Sequence, residues 1–441
     1  MRLVLLAVVL QIASAGPALA QRYVTTLAGN GIAGLIDANL LTSEFDHPIG
    51  VGVDATGFIL VGDSWNHVIR RVDPTARTVI TLAGTAATGL TDGPGFVAEF
   101  YAPSGVVVDS LGTTYVADTF NHAIRKVTRL GDVSTLAGSG VAGSADGVGT
   151  AASFSYPVGL ALDPAGNLYV SDTDNQLIRM VTPAGVVTTL AGTGSYGDVD
   201  GPAASAQFYD PMGIAFDVAS GAVMVVDSMN HKVKRILGGV VNTMAGTGAR
   251  GYLDGPGLTA MFCEPRGLVL TTAGDMFVTD ACNDRVRRIS AGAWTVSTIA
   301  GDGTAGFRNG LALSARFDGP WEIAIDAAGV LYVADQNNHR IRRIRYVVPA
   351  PVPWDFGAVF LAGAVHAQWA PMPPQAGVKG FFVEFGSAPG LSDGGVVQVG
   401  AQTSVDFQAP PGTWHLRVRA DAAQGVTGPS NSVIVTVPPQ P

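Results

Sequence analysis

The chain has 441 residues, among them 57 Gly and 26 Pro, with 14 % charged and 47 % apolar side chains and a formal net charge of −9. That apolar content excludes a disordered chain, and Gly and Pro in such number without a three-residue period exclude collagen and argue against long charged helices. An excess of acidic over basic residues, with no Lys/Arg run, removes the electrostatic footprint of a nucleic-acid binder.

The chain opens on Arg2, an apolar stretch from Leu3 to Ala15 and the small-x-small triplet Ala18-Leu19-Ala20. This is the pattern of a signal peptide over residues 1–20, cleaved after Ala20, whose apolar run is too short to span a bilayer. No later segment reads as a membrane span. A secreted protein, extracellular or periplasmic, is therefore expected, and in an oxidising compartment Cys263 and Cys282 are candidates for a bridge.

From residue 21 onward the chain repeats. The pattern [LMI]-A-G ends at Gly29, Gly84, Gly138, Gly192, Gly246 and Gly301, a period of 54 or 55 residues. Phe45, Phe100, Phe154, Phe208, Phe262 and Phe317 keep the same phase, each followed three residues later by Pro. Further on come Asp63, Asp118, Asp172, Asp227, Asp280 and Asp335, each with Asn three residues later and Arg or Lys seven residues later.

Each unit reads as four short strands. In the second, Gly105 to Val108, Thr114 to Ala117, Ala123 to Val127 and Val133 to Ala137 are separated by turn residues. Six such sheets arranged radially form a six-bladed β-propeller, an all-β fold expected over residues 21–346. A fourth-strand sequence, Tyr23 to Gly29, precedes the first unit, and none follows Ile344, so the N-terminal strand is expected to complete blade six.

The recurring P-x-G-[VIL]-x-x-D and [LF]-x-V-x-D-x-x-N-x-x-[IV]-R resemble the NHL repeat, and the resemblance covers about residues 23–345. The family includes enzymes and many binding scaffolds, so it implies the fold rather than a function. A Pro-rich linker follows at residues 347–353. Residues 354–441 carry strand-like runs, and Gly412 to Ala420 with Gly428 to Val437 resembles the end of a fibronectin type III sandwich, implying a spacer or a second contact.

The Asp-x-x-Asn turns and the loop residues Asp37, Asp92, Asp146, Asp200, Asp254 and Asn309 occur in every unit, which points to structure: Asp accepts backbone N–H groups of the turn and pairs with Arg or Lys. His67, His122, His231 and His339 occupy equivalent places in different blades and cannot share one metal; His47 stands outside that pattern. Cys263 and Cys282, whose surroundings resemble those of a disulfide in peptidylglycine-amidating lyases, lie before the first strand and in the second turn of blade five, on one face. The zinc-binding His residues of those lyases have no counterpart: two past each Pro stand Gly50, Gly105, Gly159, Gly213, Gly267 and Glu322.

Departures from the repeat are where function is sought. Trp321 and Glu322 break the pattern in blade six, and Arg266 breaks it in blade five. Trp65, Phe120 and Met229 stand two after the turn Asp, where they either pack under the linking loops or form a recognition rim. The five glycines are read as lining an open axial funnel, in which Glu322 either pairs with Arg266, the expected arrangement, or stands unpaired, suited to a cationic ligand group or to one place on a metal ion. The expected function is non-catalytic binding of an extracellular protein, peptide or glycan with no cofactor. The alternative is a lyase- or lactonase-type enzyme with a divalent cation near Glu322, the one residue offered as a metal ligand.

Overall fold

A computed structural model describes the side chains of residues 22–345, the backbone of residues 21–347 and the backbone of strands between Gly357 and Val437. The leader at residues 1–20 and residues 348–353 of the linker lie outside the described residues. Two compact units are present, one of them Arg22–Arg345.

That unit is a six-bladed β-propeller. Its innermost strands are Pro48–Val53, Pro103–Val108, Pro157–Leu162, Pro211–Asp217, Pro265–Leu270 and Pro320–Ile325, each packed on the next and the sixth on the first. Each blade continues outward antiparallel; blade two, for example, proceeds through Thr114–Asp118 and Ala123–Val127 to Val133–Ala137. In blade six the outer position belongs to Gln21–Ala28, which lies between Arg340–Val347 and the short strand Gly310–Leu311. The N-terminal strand thus closes the ring.

Four strands per blade is an undercount. In five blades the linking loop adds a two-residue fifth strand at the outer edge, such as Ala38–Asn39 on Thr78–Ala83; in blade two a single bridge, Gly93 to Val133, stands in its place. Strands of two residues have no periodicity, so the sequence did not reveal them. The added pairing shortens the free edge of each sheet.

Between neighbouring blades the facing side chains form separate apolar clusters, including one at the closure that holds Leu27, Val51, Val61, Tyr332 and Ile341. All six Phe anchors are fully buried.

Of the five glycines two past Pro only Gly105 reaches the wall of the axial cavity, so they are not its lining as read above. A Cβ on Gly50 would overlap the Ser104 carbonyl oxygen, and one on Gly105 would overlap that of Val158. They are there because adjacent innermost strands approach backbone to backbone at a β-bulge that follows the Pro in every blade.

The C-terminal unit contains two antiparallel sheets. One is Gly357–Leu361, Ala364–Gln368 and Ser404–Phe407; the other centres on Val378–Gly386 and Gly412–Ala422, the latter also pairing with Val433–Val437.

Closure through one strand makes a sharp prediction. Deleting residues 21–30 removes the outer pairing of blade six and the Leu27 and Ala28 contacts, so the melting temperature should fall by several degrees and light scattering should rise. An unchanged thermal melt of the deletion variant would contradict this role.

Candidate functional site

The loop face of the propeller is built on six copies of one buried ion pair. In blade one Asp63 Oδ2 accepts hydrogen bonds from Arg70 Nη1 at 2.6 Å and from Asn66 at 2.9 Å, and both charged side chains are fully buried. Arg70 Nη2 reaches the loop Asp37 at 2.8 Å, Nη1 donates to the Glu44 carbonyl, and the guanidinium lies 5.0 Å from the Phe45 ring. Arg125, Arg179, Arg287 and Arg342 repeat the arrangement, Arg342 using Asn309. In blade four Lys234 lacks the guanidinium fork, and Asp198 joins Asp200 and Asp227 around its ammonium group. Burial among strands pushes the carboxyls of Asp63, Asp118, Asp172 and Asp335 up to about 6, against the pull of their cations.

The turn Asp does not cap its own turn, contrary to the sequence reading. Its Oδ1 accepts the N–H of the residue two before Pro: Asp46, Tyr101, Ser155, Tyr209, Cys263 or Asp318, at 2.7 to 2.8 Å. The carbonyl of that same residue accepts the N–H of the residue two past the Asp. Two surface positions 19 or 20 residues apart are therefore pinned side by side in every blade. Their side chains are Asp46 and Trp65, Tyr101 and Phe120, Ser155 and Asp174, Tyr209 and Met229, Cys263 and Cys282, Asp318 and Asn337. In blade five the pair is oxidised to a disulfide with a Cα–Cα distance of 5.3 Å, and Arg250 Nε lies 2.9 Å from Cys263 Sγ.

A second contact joins each blade to the next. His67 Nδ1 accepts the backbone N–H of Ala102 at 3.2 Å, and His122, His231 and His339 do the same for Tyr156, Glu264 and His47. Gln176 and Asp284 take this place in the other two blades, accepting from Asp210 and Gly319. This latch was missed in the sequence, although its signal was there: the column after Asn holds only hydrogen-bond acceptors. It also explains the His residues without any metal. Partial burial lowers the pKa of all four imidazoles.

His47 is not apart from the others. Its ring meets His339 edge-on at 4.6 Å and Trp65 at 5.1 Å, and its Nδ1 lies 2.7 Å from Asp46 Oδ1. Asp46, His47 and His339 form one of the two groups of three potential metal-ligating side chains among the described residues; Cys263, Glu264 and Cys282 form the other, with both sulfurs in the disulfide. His339 Nδ1 already accepts the His47 N–H. Neither group includes Glu322.

Above this frame the face carries exposed rings. Trp65 is 64 % exposed, Phe120 43 % and Met229 37 %. His67, Tyr101, Phe120, Tyr156 and His122 make a continuous series of edge-on contacts 5.0 to 5.5 Å apart. Trp65 belongs to a separate cluster with His47 and His339, and Met229 lies beside Tyr209, which touches Tyr196.

Arg266 does not pair with Glu322 as expected. Its guanidinium carbon lies 3.8 Å from the centre of the Trp321 ring, with Nη1 3.5 Å from Gln336 Oε1. Glu322 instead lines an axial cavity of about 270 Å³ walled by the innermost strands of all six blades. Its one hydrogen bond is from the adjacent Ile323 N–H at 3.4 Å, and among the described residues it has no ion-pair partner.

The family model for the NHL repeat matches residues 154–179 and 317–344, within blades three and six. NHL repeats are present in this chain. The chain is 26 % identical over 327 residues to Protein SUPPRESSOR OF QUENCHING 1, chloroplastic, of Arabidopsis thaliana, covering 70 % of this chain and 31 % of that protein. It is 28 % identical over 295 residues to NHL repeat-containing protein 2 of Bos taurus, covering 58 % and 40 %. The chain thus spans well under half the length of either relative. A crystal structure of an auxiliary nutrient binding protein from Bacteroides ovatus superimposes with a TM-score of 0.56 at 19 % identity, over 74 % of this chain and 77 % of that one, a likeness of fold. Among the described residues no helix is long and apolar enough to cross a membrane.

The His latch gives a pH prediction. Each imidazole accepts an N–H only when neutral, and its folded pKa lies below the ordinary value, so the stability it contributes is full above about pH 6.5 and is lost as pH falls through the lowered folded value. Replacing His67, His122, His231 and His339 by Gln, the residue of blade three, should make the thermal midpoint fall less steeply between pH 7 and 5 than in the wild type; equal slopes would remove the latch from the pH response. The pinned surface pairs give another. Tyr101→Cys with Phe120→Cys should oxidise spontaneously, seen as a mass loss of about two hydrogens, and stabilise by about 3 kcal/mol for a loop of this size. Two titratable thiols persisting in air would count against the pairing.

Proposed function

We propose that this protein is a non-catalytic recognition scaffold acting outside the cytoplasm, with the loop face of the propeller as its contact surface for a protein, peptide or glycan. The observation that carries the reading is the exposure of Trp65 and Phe120 at positions where the frame needs nothing apolar. Blades three and six hold Asp174 and Asn337 there with the same backbone hydrogen bonds. Exposed aromatic rings on rigid turns are the side chains that anchor interfaces, because they bring large area at little entropy cost. The disulfide supports an oxidising compartment, in keeping with the signal-peptide reading, and the fold neighbour is by its description a nutrient-binding protein. The C-terminal unit is assigned a spacer role on its fibronectin type III resemblance. An enzyme using a divalent cation near Glu322 is the second reading, motivated by that unpartnered carboxyl; the two groups of potential ligands noted above lie elsewhere.

The rim reading is tested with the full chain immobilised against culture-supernatant proteins and wall glycans. Replacing Trp65, Phe120 and Met229 together by Ala should lower retention of the bound species by about tenfold or more at an unchanged melting temperature. Equal retention by the triple variant would refute the rim as the contact surface.

A further inference from the structure

The axial cavity has a chemistry of its own. Besides Glu322, its walls are Val51, Val106, Leu160, Ile214, Leu268 and their neighbours on the innermost strands, with no second charged side chain in the lining. Five blades hold Gly at the Glu322 position, and Arg266, the cation expected beside it, is engaged with Trp321 and Gln336. Glu322 keeps a single long hydrogen bond, from the Ile323 N–H; a buried carboxyl so poorly partnered is costly, and a bound group that satisfies it recovers that cost.

We propose that this cavity binds a small primary amine with an apolar body, the ammonium group on the Glu322 carboxylate and the hydrocarbon part among the aliphatic side chains of the innermost strands. A calcium ion wants six to eight oxygen ligands with several carboxylates among them, and these walls supply one carboxylate and no other side-chain oxygen. A neutral apolar ligand leaves the carboxyl unsatisfied, and an anion finds no charged donor in the lining. An ammonium group offers three donors and one charge, and a volume of about 270 Å³ holds a molecule of phenethylamine size. Burial pushes the empty carboxyl up to about 8, so at pH 7 the arriving ammonium displaces a proton to the buffer. The site is separate from the aromatic rim, and its test stands or falls without it.

The experiment is calorimetric titration of the full chain at pH 7 with phenethylamine, 2-phenylethanol and 3-phenylpropanoate, each alone, in two buffers of different ionisation heat. Wild-type protein should bind the amine about tenfold or more tightly than the alcohol, with proton release, and the acid most weakly. Glu322→Gln should bind amine and alcohol alike; Glu322→Gly, the residue of the other five blades, serves if the first variant melts early. Equal affinity of wild-type protein for amine and alcohol, no binding of the amine at millimolar concentration, or a preference that survives in a folded variant would each overturn the proposal. So would stoichiometric binding of calcium alone that is lost in Glu322→Gln, which would assign the carboxyl to a metal instead.

Discussion

The buried pair of a turn aspartate and a strand cation is the constraint from which the rest of the propeller follows. Taking both charges out of water costs several kcal/mol per ion and is offset only when the remaining donors and acceptors are also satisfied. Asp63 meets that condition through Arg70, Asn66 and the Asp46 N–H, and the two Nη groups of Arg70 meet it through two backbone carbonyls, Asp63 and Asp37, which leaves only its buried Nε without a hydrogen-bond partner. Those partners lie on three separate stretches of chain, so one pair fixes the turn, the linking loop and the approach to the innermost strand together. The Phe ring packs against the guanidinium from the same loop, and both are fully buried.

Because this frame is complete in every blade, the side chains it holds up are free to vary. The two pinned surface positions show the range: a ring pair in blade two, a hydroxyl with a carboxylate in blade three, a disulfide in blade five, a carboxylate with an amide in blade six. Backbone hydrogen bonds common to all six pairs carry the geometry. Evolution of a contact surface on such a scaffold needs only substitutions that leave the carboxylate, the cation and the Phe in place.

Much of this was legible because the chain states its rules six times. A column that keeps Asp, Asn, Arg and Phe in phase through six copies reports a demand of the fold, and the ion pairs, the buried rings and the ring closure all followed from it. What stayed hidden occurs once or lies across a junction. Whether Arg266 turns toward Glu322 or Trp321 depends on how a long side chain settles between two blades, which no period encodes. The meeting of His47 with His339 joins residues 292 apart in sequence, and the glycines looked like channel lining until the backbone of the next blade was seen to occupy that space.

The closing strand also sets an order of events. Tyr23 pairs with Leu311, so among the first residues of the propeller to be synthesised are some whose partners come nearly last. During synthesis the intermediate is an open fan with an unpaired edge at each end, exposed for as long as the remaining blades take to emerge. Loop closure over that distance is a slow, late step. Assembly of the finished ring is therefore gated by the length of the chain itself, and a chain interrupted before blade six is left with edges available for pairing with other chains.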